Sequence, residues 1–321
     1  MARQQIAIIS PALAAANNGN WQTASRWAHF LRDRYQVEIA REWHGGPADL
    51  LIALHARRSA AALAAFTRER PGRPAVLVLT GTDLYRDIAG VPEAQASLAT
   101  ASALVLLQPA GLALLPDSAR AKARVIYQSA PALRPHRRRS EDVCMIGHLR
   151  DEKDPLTFMR AAALLRHPRA RMLHIGAALD PALGAAATAA QAATPRYRWL
   201  GNLAHGATRQ RLKHCHAMVI ASRMEGGANV IIEAVTSGVP VLASDINGNR
   251  GMLGEDYAGY FAPGDADALA RLVERSLEDG DFYARLQAQC AARAALFSPE
   301  IEHAALLDLV DNLLAATMPA A

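Results

Sequence analysis

Hydrophobic positions in this chain fall into short, almost unbroken runs. In the first half these are IAIIS (6–10), VEIA (37–40), LLIALHA (50–56), AVLVLTG (75–81), SALVLLQ (102–108) and RVIYQ (124–128). Helix-like segments lie between them; in WQTASRWAHFLRDRY the side chains of Trp27, Phe30, Leu31 and Tyr35 share one helical face. Apolar runs without polar alternation, separated by helices, predict a parallel sheet covered on both faces. SAPALRPHRRRSED (129–142) has two prolines, a triple arginine and no period, and reads as a linker with a solvated basic face. The pattern then restarts with DVCMIG (142–147), ARMLHIG (170–176), YRWLG (197–201), AMVIAS (217–222) and PVLASD (240–245), and the tail from Asp265 is almost entirely helical. The expected class is α/β: two Rossmann-like, doubly wound domains facing across a cleft, over 1–135 and 142–300. A helix over 301–321 is placed to pack back on the first domain. Ligands of open α/β sheets gather at the carboxyl ends of strands, so the residues that follow the runs are the candidates for chemistry.

Composition narrows the picture. The 321 residues suffice for two such domains, and 51% are hydrophobic. No apolar stretch reaches the roughly 18 residues needed to span a bilayer, and the chain enters a strand-like run at once, with no leader. Cys144, Cys215 and Cys290 are scattered, in apolar surroundings and without metal spacing, which fits buried thiols in a reducing cytoplasm. Charge is uneven: residues 1–135 hold fifteen Lys and Arg against nine Asp and Glu, the remainder twenty against twenty-one. The excess suits either an arginine-decorated surface or a first domain that handles an anion. Nucleic acid is a poor partner, because aromatics are only 5% and no basic helix or stacking platform is visible.

SRMEGGANVIIEAVTSGVPVLAS (222–244) carries the clearest chemistry. A buried strand leads into RMEGG, and a helix then runs to Gly238 with Pro240 beyond it. Gly226 and Gly227 remove side chains where backbone N–H groups point outward, and a helix N-terminus carries about half a positive charge. That is a cradle for a diphosphate. Glu233, inside the helix, suits the vicinal diol of a ribose; Glu225, nearer the opening, suits a hexose. Two carboxylates eight apart and a Gly-Gly turn are also common without function. No Asp-x-Asp pair lies in a suitable loop, so neither a metal nor a cofactor is expected; DADA (265–268) starts a late helix and reads as a cap.

This stretch resembles the donor-site signature of retaining, family-4-type GT-B glycosyltransferases over about 25 contiguous residues. The resemblance implies that Glu225 contacts the donor sugar, that Glu233 contacts the nucleotide ribose, and that the amides of Gly227, Ala228, Asn229 and Val230 face the phosphates. MIGHLRDEKDP (145–155) is similar to the family's loop after the first strand of the second domain. Lys153 then steadies the leaving diphosphate near Gly147. His148 stands where the family has arginine: it donates to phosphate, or Arg150 takes over, or it is a neutral loop histidine. INGNRGML (246–253) lacks a glutamate common in the family.

The first 150 residues and the donor motif together resemble the selenosugar synthases of selenoneine biosynthesis. The resemblance implies transfer of a hexosamine, N-acetylglucosamine, from a UDP-sugar to the selenium of selenophosphate, and loss of phosphate to give a selenosugar. Retention at the anomeric carbon belongs to the same implication. Such an acceptor needs cationic groups and amides to offset its repulsion from the donor. The candidates are Gly19 and Asn20, in a loop after the first strand; Arg57 and Arg58, one of them expected to point inward; and the Thr80, Gly81, Thr82 turn. His55 either orients the acceptor or is a core histidine, and Asp83 is either an acid–base group or an N-cap. Two other enzymes remain open, a glycosyltransferase with a lipid or hydroxyl acceptor and a UDP-sugar epimerase; so does a non-catalytic sugar-nucleotide binder.

Overall fold

Each apolar run becomes a strand, and successive side chains of a strand leave on opposite faces of the sheet. In the computed structural model, which describes residues 3–14, 18–134 and 140–317, the chain forms two units. One comprises Met1–Gln128 and Pro299–Ala321, the other Ser129–Ser298. The triple arginine Arg137–Arg139 lies outside the described residues. Part of the expected linker belongs to the second unit: Ala130 is buried and Leu133 N–H donates to Thr236 O at 3.2 Å.

The first unit holds strands β1 (Gln5–Ile9), β2 (Gln36–Ala40), β3 (Leu50–Leu54), β4 (Ala75–Leu79), β5 (Ala103–Leu106) and β6 (Ala123–Val125). All pair in parallel, in the order β2-β1-β3-β4-β5-β6. The parity of the strands sorts two cores. Leu50, Ile52, Leu54, Val76, Val78 and Val105 face one side, with Trp27 and Leu31. Leu51, Ala53, Leu77, Leu79, Leu104 and Leu106 face the other, with Leu63 and Phe66. The first face is completed by the carboxyl-terminal helix Pro299–Ala315, through Leu306, Leu309, Val310 and Leu314. Four residues at helical spacing and fully removed from water contribute on the order of 2 kcal/mol each.

The second unit holds β7 (Asp142–Ile146), β8 (Arg171–Ile175), β9 (Tyr197–Trp199), β10 (Ala217–Ile220), β11 (Val241–Ser244) and β12 (Tyr260–Phe261). They too are parallel, ordered β12-β11-β10-β7-β8-β9. Two residues make no visible run, so β12 escapes the sequence pattern; it is held by pairing Ala243 with Tyr260 and Ser244 with Phe261. The order reverses between β1 and β3 in one unit and between β7 and β10 in the other. At such switch points the following loops diverge to opposite faces and open a crevice. Cys144, Cys215 and Cys290 are buried and free. Among the described residues no helix is long and apolar enough to cross a membrane.

Candidate active site

The loops leaving β7 and β10, neighbours at the second unit's switch point, bring the donor-motif residues together. After β10 the chain turns through Ser222 and Arg223 to Glu225. Ser222 Oγ donates to Glu225 Oε1 at 2.5 Å, and Lys153 Nζ forms an ion pair with the same oxygen. Lys153 ends a short 3-10 turn, Asp151–Lys153, after β7. Its direction is set by Asp154, which adopts the left-handed conformation and accepts from Thr157 Oγ1 at 2.8 Å. Arg223 N–H donates to Glu152 O at 2.9 Å and locks one loop to the other. The Lys153 stem lies over Gly147, where a Cβ would be 3.6 Å from Cδ and Cγ.

The end of β11 and the helix that follows it, Asn247–Leu253, brace this pair. Ser244 Oγ donates to Ser222 O at 2.6 Å, and Asn249 Nδ2 donates to Ser244 O at 2.9 Å. Gly248 packs so closely that any Cβ would overlap the Glu225 carbonyl oxygen. Gly176, after β8, is equally tight against the Gly147 carbonyl oxygen, which also accepts from His174 Nε2 at 3.2 Å.

Gly226, Gly227 and Ala228 lead into the helix Asn229–Thr236. No side chain caps it. Elsewhere Asn18, Asp180, Asp265 and Asp279 each accept a first-turn N–H. Ala228 has no acceptor to offer, so the amides of Asn229 and Val230 keep the donor character that a cap would satisfy. Glu233 sits on the buried side of this helix with its side chain 9% exposed, and His205 Nε2 lies 2.6 Å from its Oε1. Glu225 is similarly sunk, at 11%. His148 Nδ1 accepts from Ala177 N–H at 3.0 Å, so its ring is neutral with the proton on Nε2. Arg150 is exposed on the same loop.

The expected acceptor residues gather at the ends of β3 and β4, beside the first unit's switch point. His55 is buried with φ 76°, a left-handed backbone unusual for histidine. Its Nε2 lies 3.1 Å from Thr82 Oγ1, and burial holds its pKa below the ordinary value. Asp83 is neither an N-cap nor a free acid. Fully buried, it accepts from Ala56 N–H at 2.9 Å, Gly81 N–H at 2.8 Å and Thr80 N–H at 3.0 Å. It thereby fastens the β4 turn, with Gly81 at φ 141°, to the β3 turn. Neither arginine points inward: Arg57 and Arg58 are both exposed, and Arg57 Nη1 reaches the buried carboxylate of Asp87 at 3.5 Å. Gly19 and Asn20 are not loop residues. They open the helix Gly19–Leu31, capped by Asn18.

The family model "Glycosyl transferases group 1" matches residues 132–294, a little over half of the chain. The chain belongs to the group 1 glycosyl transferases. Solved structures agree on the fold. Sucrose-phosphate synthase from Thermosynechococcus elongatus is 17% identical, with 98% of this chain and 100% of that chain covered and a TM-score of 0.79. Anabaena Alr3699/HepE in complex with UDP-glucose is 16% identical, with 97% and 100% covered and a TM-score of 0.78. The pneumococcal O-GlcNAc transferase GtfA in complex with UDP and GlcNAc is 16% identical, with 83% and 57% covered and a TM-score of 0.66. The architecture of this glycosyltransferase is therefore GT-B, with two parallel-sheet Rossmann-like domains.

Several residues of the site carried no signal in the motifs. His205 and Arg209 lie four apart on the helix His205–Leu212, ahead of the signature, and only their shared helical face could have marked them. His174 acts through the Gly147 carbonyl and Asn249 through Ser244 at the end of β11, contacts that no local pattern encodes.

Proposed function

We propose that this glycosyltransferase moves a hexosamine, N-acetylglucosamine, from a UDP-sugar to the selenium of selenophosphate. The observation that carries the donor half is the uncapped helix start at Asn229, flanked by two sunken carboxylates. The amides of Gly226, Gly227, Ala228, Asn229 and Val230 suit a diphosphate. Glu233 takes the ribose hydroxyls and Glu225 those of the hexose. The UDP-glucose named for HepE and the UDP and GlcNAc named for GtfA support this donor chemistry. Lys153, beside Gly147, stabilises charge growing on the departing diphosphate. His148, neutral at Nδ1, offers a hydrogen bond rather than a full charge, and Arg150 supplies the cation of that loop.

The acceptor half is supported by how two described side chains at the ends of β3 and β4, His55 and Asp83, are already engaged. Both ring nitrogens of the buried His55 are engaged, Nδ1 accepting from Arg58 N–H at 3.4 Å and Nε2 lying 3.1 Å from Thr82 Oγ1, and Asp83 is spent on three backbone amides. Neither is available as the base that a sugar or lipid hydroxyl requires. An acceptor that is already anionic needs none, and Arg57, Arg58 and the Thr80–Thr82 turn suit its phosphate. Selenium attacks the anomeric carbon and forms the C–Se bond. The C–O bond to UDP breaks, and UDP leaves with the electron pair. Water then takes the phosphoryl group; the P–Se bond breaks, its electrons stay on selenium, and inorganic phosphate departs.

The test is incubation with UDP-N-acetylglucosamine and selenophosphate, read by mass spectrometry for a selenium isotope pattern and by UDP release. Lys153→Ala is expected to lower kcat about 100-fold while changing UDP affinity little. UDP release with hydroxyl acceptors but not with selenophosphate would move the enzyme to an oxygen acceptor. No UDP release with either would overturn the donor assignment.

A further inference from the structure

The helix His205–Leu212 follows β9 and presents one donor to Glu233, His205, with the buried charge of Arg209 nearby. His205 and Arg209 are one turn apart and share a face. His205 Nε2 approaches Glu233 Oε1 at 2.6 Å, while 45% of the His205 side chain stays in solvent. Arg209 is 8% exposed and donates from Nη2 to Pro131 O at 2.6 Å. Its buried Nε has no hydrogen-bond partner among the described residues. Burial lowers the guanidinium pKa, and the negative charge of Glu233 pulls it back up. The helix carries no acid in its first turn and has no side-chain cap. His205 is thus the residue of this helix that reaches the carboxylate of Glu233 on a different helix.

A carboxylate that reads a diol must hold its plane, because each hydroxyl proton needs a lone pair in the right direction. On Glu233's own helix, Thr236, three residues on, donates from Oγ1 to the carbonyl oxygens of Ile232 and Glu233 rather than to the Glu233 carboxylate. We propose that His205, backed by Arg209, is a positioning residue for nucleotide recognition. It holds Oε1 and turns Oε2 to the ribose, so that it sets both nucleotide affinity and the preference for ribose over deoxyribose. This inference rests on the ribose role of Glu233 proposed above.

The test measures dissociation constants of UDP, 2′-deoxy-UDP and 3′-deoxy-UDP by calorimetry for the unmodified enzyme, His205→Ala, His205→Gln and Glu233→Ala. One deoxy analogue is expected to bind the unmodified enzyme about tenfold more weakly than UDP, the scale of a hydrogen bond to a charged acceptor. His205→Ala should lose about tenfold in UDP affinity and most of that discrimination. His205→Gln, which places an N–H donor at similar reach, should recover part of both. The loss should fall on the donor KM, with kcat at saturation nearly unchanged. His205→Ala binding UDP as tightly as the unmodified enzyme, or more tightly, would overturn the inference, because the ring would then be a bystander or a plug. If Glu233→Ala loses affinity and His205→Ala does not, the ribose role stands and the positioning role falls. Failure of the unmodified enzyme to bind UDP would remove both.

Discussion

His174 shows how a single buried side chain couples the donor loop to pH. Its ring is fully buried, accepts at Nδ1 from the Tyr197 hydroxyl at 3.0 Å and donates at Nε2 to Gly147 O at 3.2 Å. Burial lowers its pKa from 6.5 to about 4. Above pH 6.5 the ring is neutral whether the chain is folded or not, and it adds no pH dependence. Between 6.5 and 4 the unfolded chain takes up a proton that the folded one refuses, so stability falls as pH falls. The shift corresponds to a loss of roughly 3 kcal/mol once pH reaches 4. Urea denaturation at pH 7 and pH 4.5 should show the unmodified protein losing about 2–3 kcal/mol more than His174→Gln over that interval. Equal losses in the two proteins would assign the acid sensitivity elsewhere. None of this was legible from ARMLHIG, where His174 reads only as one polar letter in an apolar strand. The roles proposed for Lys153, Glu225 and Glu233 rest instead on particular residue types at fixed offsets from a strand end, which a sequence does display.

The elements were legible for a related reason. A strand buried on both faces must be apolar throughout, and that requirement marked β3, β4, β5, β10 and β11; the partly exposed β2, β6 and β9 showed as shorter, less apolar runs. The strand at Tyr260–Phe261 is set by pairing at the sheet edge, and the start of the helix at Gly19 by the Asn18 cap; both depend on partners the pattern does not display. The glycines are the sharpest case. In INGNRGML, Gly248 is one of two glycines without evident purpose, yet it is where the helix after β11, Asn247–Leu253, meets the Glu225 carbonyl. That obstacle is backbone and cannot rotate away. Gly248→Ala must push the Glu225 turn outward, at a cost of about 1–3 kcal/mol in stability. Because Glu225 moves with its backbone, its proposed hold on the donor hexose should loosen and activity should fall by at least about tenfold, since small misplacements of a bound sugar are expensive. Thermal unfolding together with kcat/KM checks this. A variant of lowered melting temperature and full activity would show that the turn yields without carrying Glu225 with it.

At the scale of the whole molecule, the chain leaves its first unit at Gln128, builds the second, and returns at Pro299 to finish the first. The return is fixed by a buried carboxylate. Glu302 accepts from Trp27 Nε1 at 2.7 Å and from Arg26 Nε at 2.7 Å, and its side chain is inaccessible to solvent. Two donors on the helix Gly19–Leu31 thus select which face of the last helix turns inward, and Leu306, Leu309, Val310 and Leu314 follow. A buried ion pair adds little net stability against an apolar substitute, but removing one partner strands the other. Glu302→Ala removes the acceptor of the buried Trp27 N–H and the carboxylate paired with Arg26, and should destabilise the first unit by about 3–5 kcal/mol. Glu302→Gln keeps one carbonyl oxygen for Trp27 and should cost less. Hydrogen exchange read by mass spectrometry separates this from a global effect. Peptides of 3–128 and 299–317 should lose protection in Glu302→Ala, while those of 140–298 keep theirs. Uniform loss across the chain would mean that the two units unfold as one, and that the last helix is a strut for the whole protein rather than the closing element of its first sheet.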